Sequence, residues 1–281
     1  MKCMHLPVIN VRSGVLLSAL AGLLILVAPL LPVGVDWQNT YRPAALAMLR
    51  GDSPFSVEIY YAAPWALIPL MPFALMPYMV GRFFVFVLGL ASFGFTAYRL
   101  GAGRWTLMIF MMSAAVVGCL NNGNIEWMPL LGIVLPPQYG LILLAVKPQV
   151  GIGLGLYWLV MIWWEKGFWQ MVKVFAPVTV LLMLSFSFYG LWPLRFDQTL
   201  AWSVDNTSFG LQGLFLGGVA LAWAIRNRNE KAALASGPFF SPYVLQFTWG
   251  AALVPLLDKP VELLAAVVLL WVPVVVRVIG D

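Results

Sequence analysis

Charge is scarce in this sequence: of 281 residues only 10% are Asp, Glu, Lys or Arg. A water-soluble globule of that length needs far more polar surface to cover it, so a soluble protein is excluded. Histidine occurs once, at His5, which argues against a histidine-held metal and against a Ser-His-Asp triad. The two cysteines, Cys3 and Cys119, are too far apart in sequence and too apolar in context to suggest a disulfide framework or a CxxC site. No basic patch is interleaved with aromatics. The net charge of +5 therefore reads as the lysines and arginines of cytoplasmic loops, and nucleic acid is not expected as a partner. No metal or cofactor is expected, and no internal repeat or low-complexity segment stands out.

What is present is apolar. Hydrophobic residues make up 62% of the chain and the mean hydropathy is +0.91. The apolar runs are continuous and do not alternate at period two, so the spanning elements are helices and not barrel strands. A hydrocarbon core of about 30 Å needs about 20 apolar residues per helix, leaving room for roughly eight to ten crossings. The expectation is an all-α, polytopic membrane protein whose 281 residues form a single transmembrane domain. The first crossing is expected over about Ser13 to Val35, too long for a signal-peptide core and without a small-x-small cleavage site. Lys2 and Arg12 before it place the N-terminus in the cytoplasm. Further spans are expected near Tyr78 to Tyr98, Thr106 to Leu120, Trp169 to Tyr189, Phe209 to Ala224, Ala232 to Leu257 and Val261 to Ile279. The run PWALIPLMPFALMP, Pro64 to Pro77, carries four prolines and reads as a kinked or partial helix.

Positive charge sets part of the topology. Lys166 and Lys173, then RNRNEK with Arg226, Arg228 and Lys231, make two cytoplasmic loops, so LRFDQTLAWSVDNTS between them faces outward. RLGAGR, with Arg99 and Arg104, falls outside if every short run crosses and inside if Pro64 to Pro77 is re-entrant. Trp163, Trp164, Trp169 and Trp192 are expected as interface anchors.

Four places put polar groups where lipid makes them expensive. The first is VDWQNTYRPAALAMLRGDSPF, in a first outer loop of about residues 36–63. Tyr41, Ala44, Ala45, Met48 and Leu49 lie at helical spacing, with Arg42 and Arg50 on the polar side, and Gly51 followed by DSPF ends the helix. This describes an interfacial helix on the outer face. Asp36 either caps that helix or stands at the mouth of the bundle. The second place is NNGNIEW, where Asn121, Asn124 and Glu126 either line a polar cavity or break a helix at a surface turn. In VKPQVG, Lys147 interrupts an apolar run and must reach an interface, an acidic partner or a bound phosphate. The fourth, GPFFSPY from Gly237 to Tyr243, is a proline-broken turn.

In this order the motifs resemble a known family. An acidic residue after the first span is followed by Y-x-x-A-x-x-x-L-x-G-x-S-P-[FY], by a proline-rich run ending in L-M-P, by a G-N break, by a K-P and by a late S-P-Y. The residues carrying the resemblance are Asp36, Tyr41, Ala45, Leu49, Gly51, Ser53, Pro54, Phe55, Gly123, Asn124, Lys147, Pro148, Ser241, Pro242 and Tyr243. The pattern is similar to the integral-membrane glycosyltransferases of the GT-C superfold, and within them to the α-mannosyltransferases that use polyprenol-phosphate mannose. The chain is shorter than most members, and it has YYAAPW, Tyr60 to Trp65, where relatives usually show a tyrosine and paired prolines.

The resemblance implies transfer of a sugar, mannose or another hexose, from a polyprenyl-phosphate donor to a glycan, lipid or protein acceptor on the outer face of the cell membrane. It implies Asp36 as general base. The donor phosphate would meet Arg42, Arg50 and Lys147, and sugar or acceptor hydroxyls would meet Tyr41, Tyr60, Tyr61, Asn121, Asn124 and Glu126. Two other classes stay open: a non-catalytic interaction or assembly subunit that keeps the fold, and a transporter, which the broken helices and the intramembrane lysine also suit.

Overall fold

Proline, glycine and asparagine set the architecture by cutting the apolar runs. The computed structural model describes residues 28–195 and 206–280, together with Gly22 and Leu26. Most of the first expected crossing, and part of the loop at LRFDQTLAWSVDNTS, lie outside the described residues. Among the described residues the structure is helical and contains no strand.

A wide helical turn, Trp37–Tyr41, runs directly into α1, Arg42–Leu49. The proline-rich run forms a 3-10 stretch, Pro64–Leu70, and one α-helical turn, Met71–Ala74, so it is a partial helix as expected. Then come α2, Tyr78–Arg99, α3, Arg104–Met111, and α4, Ala114–Asn122. Two short helices follow, α5, Trp127–Gly132, and α6, Pro137–Leu144, before α7, Pro148–Lys166, and α8, Phe168–Tyr189. The last part comprises α9, Gly210–Arg226, α10, Glu230–Ser236, and α11, Pro260–Gly280.

Three of these helices, α2, α8 and α11 over Pro260–Arg277, are long and apolar enough to cross a membrane, and α3 with α4, bent by 54° between them, makes a fourth if the pair counts as one span. Among the described residues this is fewer than the eight to ten crossings expected for the chain, since a count of apolar residues ignores where the runs are cut. The backbone breaks at Asn122–Gly123, Pro136–Pro137 and Lys147–Pro148 leave several pieces shorter than a bilayer. The outward faces of the long helices are apolar, only 17% of the window in α8 and 11% of that in α11 being buried. Soluble monomers rarely expose contiguous apolar surface on this scale, whereas a bilayer covers it.

The helix ends sort into two faces. Lys231 Nζ donates to the Leu100 carbonyl at 2.7 Å, and Arg228 pairs with Glu165 at 3.0 Å. RLGAGR, the end of α7 and RNRNEK thus meet on one basic face, where Asp258 and Lys259 also border the same shallow cavity. This is the arrangement expected when Pro64 to Pro77 does not cross. From that face α2, α3 with α4, and α7 each lead to the other end of the bundle. A 22-residue helix such as α2 covers about 33 Å, so the two faces are a bilayer's hydrocarbon thickness apart.

Trp163, Trp164 and Trp169 are 52%, 71% and 74% exposed, near the end of α7 and the start of α8. Trp192 is not an anchor. It is buried, stacked on Phe55 with centroids 5.6 Å apart, and its Nε1 donates to Ser185 Oγ at 3.1 Å. Packing against Phe55, Trp65 and Phe186 removes its ring from any interface.

Candidate functional site

Far from the basic face, residues from three separate breaks converge. Asn124 is placed by the end of α4. Gly123 has φ +70°, a left-handed conformation open to glycine at little cost, and the Asn124 N–H returns to the Cys119 carbonyl at 2.9 Å while the Gly123 N–H reaches that of Leu120 at 3.3 Å. These two bonds are the Schellman closure of a helix. A side chain at position 123 is also barred by space, since a Cβ there would lie 2.7 Å from Trp37 Cβ.

Lys147 is placed by the next break. Its backbone is extended, at φ −135° and ψ 92°, as a residue before proline prefers, and Pro148 starts α7. The ammonium projects into the bundle, where it donates to Asn124 Oδ1 at 2.8 Å and to Glu126 Oε1 at 3.1 Å. Of the three destinations open to this lysine, it takes the acidic partner. Thr248 Oγ1 also donates to Glu126 Oε1, at 3.0 Å. Glu126 Oε2 is buried and has no hydrogen-bond partner among the described residues.

Asp36 does not cap a helix. Its own backbone is helical, at φ −70° and ψ −37°, and its side chain makes no capping bond. The carboxylate turns to the centre, where Asn124 Nδ2 donates to Oδ2 at 2.7 Å. Oδ1 has no hydrogen bond among the described residues, and the side chain is half-buried. Tyr41, one helical turn on, donates from its hydroxyl to Asn124 Oδ1 at a long 3.4 Å. Burial is the main reason its phenol is held well above the usual tyrosine range, with the negative charges of Asp36 and Glu126 adding to it.

Asp36, Tyr41, Asn124, Glu126 and Lys147 are therefore brought together, over a sequence separation that no local pattern spans. Tyr60 borders them, edge-on to Tyr41 with centroids 6.3 Å apart, and its hydroxyl donates to the Ala63 carbonyl at 2.7 Å. Tyr61 is half-buried beside it in sequence. Arg42 lies over the Tyr78 ring, 5.9 Å from its centroid, with a buried Nε that has no partner among the described residues. Two expected residues stand apart. Arg50 pairs at 3.3 Å with Asp52 in the open, both side chains more than half exposed, and the Asn121 side chain is exposed while its carbonyl accepts from Arg82 at 2.9 Å.

Arg82 is the residue that the sequence reading missed. It is fully buried one turn into α2, and its Nη2 donates to the Leu120 and Asn121 carbonyls at the end of α4, where a cation also complements the helix dipole. Gly34 lies across the guanidinium, so closely that a Cβ there would sit 2.2 Å from Nε. The signal was available, because a charge inside an expected span marks a site by default. Thr248, in an unremarkable apolar stretch, offered none. Compared with protein-family models, curated proteins and solved structures, the chain gives no significant match.

Proposed function

We propose that the chain is a membrane-embedded glycosyltransferase that moves a sugar, mannose or another hexose, from a polyprenyl-phosphate donor to an acceptor hydroxyl on the face opposite the basic loops. The observation carrying this reading is the carboxylate of Asp36. It stands half-buried at the end of the bundle opposite the basic loops RLGAGR and RNRNEK, one oxygen held by Asn124 and the other without a protein partner among the described residues. Basic loops favour the cytoplasmic side, which puts Asp36 at the outer surface, where the phosphate of a lipid-borne donor lies. The turn from Trp37 into α1 is then the interfacial element of the first outer loop.

An acceptor hydroxyl ionises far above neutral pH. A carboxylate that takes its proton as the new C–O bond forms accelerates the step by about 100- to 10,000-fold. The bond broken is that between the sugar's anomeric carbon and the phosphate oxygen. Phosphate leaves without help from a second carboxylic acid and needs positive charge beside it. Arg42, close to Asp36 in the same helical run and with a donor still unused, fits that role best. Arg50 is further along the loop, and Lys147 has two of its three donors committed.

The test is transfer of labelled mannose from polyprenyl-phosphate mannose into the lipid, glycan and protein fractions of membranes carrying the protein. Asp36→Asn is expected to abolish it while the protein still elutes as one folded species. Transfer at the wild-type rate by that variant would end the assignment. The buried Lys147–Glu126 pair between broken helices favours a transporter as the second reading; proteoliposome flux that needs Lys147 and ignores Asp36 would be its mark.

A further inference from the structure

Asn124 Oδ1 faces three donors: the Ile125 N–H at 2.7 Å, the Lys147 ammonium at 2.8 Å and the Tyr41 hydroxyl at 3.4 Å. An amide accepts only through its oxygen and donates only through its nitrogen. Turned over, it would set its NH2 against the donor-only Ile125 N–H and Lys147 ammonium and its oxygen against the Asp36 carboxylate, losing those three bonds. The direction of the group is thus imposed by its neighbours, and the imposed direction aims Nδ2 at Asp36 Oδ2. Lys147 is in turn held by Glu126, whose Oε1 also accepts from Thr248. Asn124, Glu126, Lys147 and Thr248 are each at most 5% exposed, so water does not compete for these bonds, and the charged ones among them are the strong ones.

We propose that Lys147 is a positioning residue: with Glu126 it orients the Asn124 amide, which holds Oδ2 of Asp36 and leaves Oδ1 turned to the acceptor hydroxyl. This rests on the reading of Asp36 as the base. Polarised by the ammonium at its oxygen, the amide is also a better N–H donor to the carboxylate. A base displaced by about 1 Å can lose about 100-fold in rate, so the effect belongs in turnover and not in donor affinity. A lysine that gripped the donor phosphate directly would show the reverse.

The experiment compares Asn124→Ala, the double variant Glu126→Gln/Lys147→Met, and all three changes together, in nanodiscs. Changing both members of the ion pair avoids leaving one buried charge alone. Donor affinity is read by tryptophan quenching with polyprenyl-phosphate mannose, and turnover by release of polyprenyl phosphate at saturating donor. The expected result is a 10- to 100-fold fall in kcat for the double variant, a KM and Kd for donor within twofold of wild type, and no further loss in kcat when Asn124→Ala is added. A tenfold rise in donor Kd, or losses that multiply, would overturn the proposal.

Thermal unfolding of the same variants gives a readout that needs no turnover. The stability losses of Asn124→Ala and of the double variant should be less than additive, because each removes the same contact. Additive losses would sink the positioning chain itself. A wild-type protein that turns over no donor while its stability losses are coupled would instead sink the transferase reading and leave the chain of contacts standing.

Discussion

At the scale of the residue, the centre of the site depends on one buried ion pair. The Lys147 and Glu126 side chains are 6% and 1% exposed and 3.1 Å apart, and in that setting the desolvation of each charge is offset only while the other is present. Lys147→Met alone is expected to destabilise the protein by about 3–5 kcal/mol, since it strands the Glu126 charge. The double variant with Glu126→Gln should recover most of that loss in a detergent unfolding curve. Tyr41 gives a second expectation. Its folded pKa is raised, chiefly by burial, so the stabilisation from keeping the phenol neutral is fully present below the unfolded value of about 10 and is lost as pH rises above it. In an alkaline titration followed near 295 nm, the difference between wild type and Tyr41→Phe should show no ionisation step near pH 10 while the protein is folded. A step there would mean that Tyr41 is open to water.

At the scale of the element, helix breaks bring the polar groups of the centre together. Asn124 reaches Asp36 because α4 stops at Gly123 in a left-handed turn, and Lys147 reaches Asn124 because Pro148 starts a new helix. Gly123→Ala places a Cβ at positive φ and within 2.7 Å of Trp37. The backbone strain alone costs about 1–3 kcal/mol, and the clash adds to it. The variant should unfold earlier than wild type and, on the proposed mechanism, lose turnover as Asn124 shifts. Wild-type stability would show that the turn after α4 is free to move. These breaks were legible in NNGN and VKPQ, because glycine and proline act through the backbone alone. The shortness of α5 and α6 was less so, as apolar composition looks the same in a crossing helix and in a buried fragment.

At the scale of the whole molecule, two faces organise the rest. Basic loops gather at one end and the Asp36 centre lies at the other, joined by α2, by α3 with α4, and by α7. In a background with Cys3 replaced, cysteines introduced at the exposed positions Asp52 and Asn227 should be labelled by an impermeant maleimide from opposite sides of the membrane, Asp52→Cys in intact cells and Asn227→Cys only after permeabilisation. Labelling of both in intact cells would refute the two-faced arrangement. Whether RLGAGR shares a face with RNRNEK was open in the sequence, since it turns on whether the proline-rich run crosses, and the contact between Lys231 and Leu100 shows that the two loops meet.

The sequence by itself determined the helical class, the apolar outer surface and the positions of the breaks, because each follows from local composition and from what glycine and proline do to a backbone. It also marked Asp36, Asn124, Glu126 and Lys147 one at a time, as polar groups in costly places. Only the tertiary structure decided that these four meet, that Arg82 braces the end of α4, and that Arg50 and Trp192 lie elsewhere. Those outcomes depend on how separate helices pack, and the energy of a buried charge is set by the neighbour that packing brings to it.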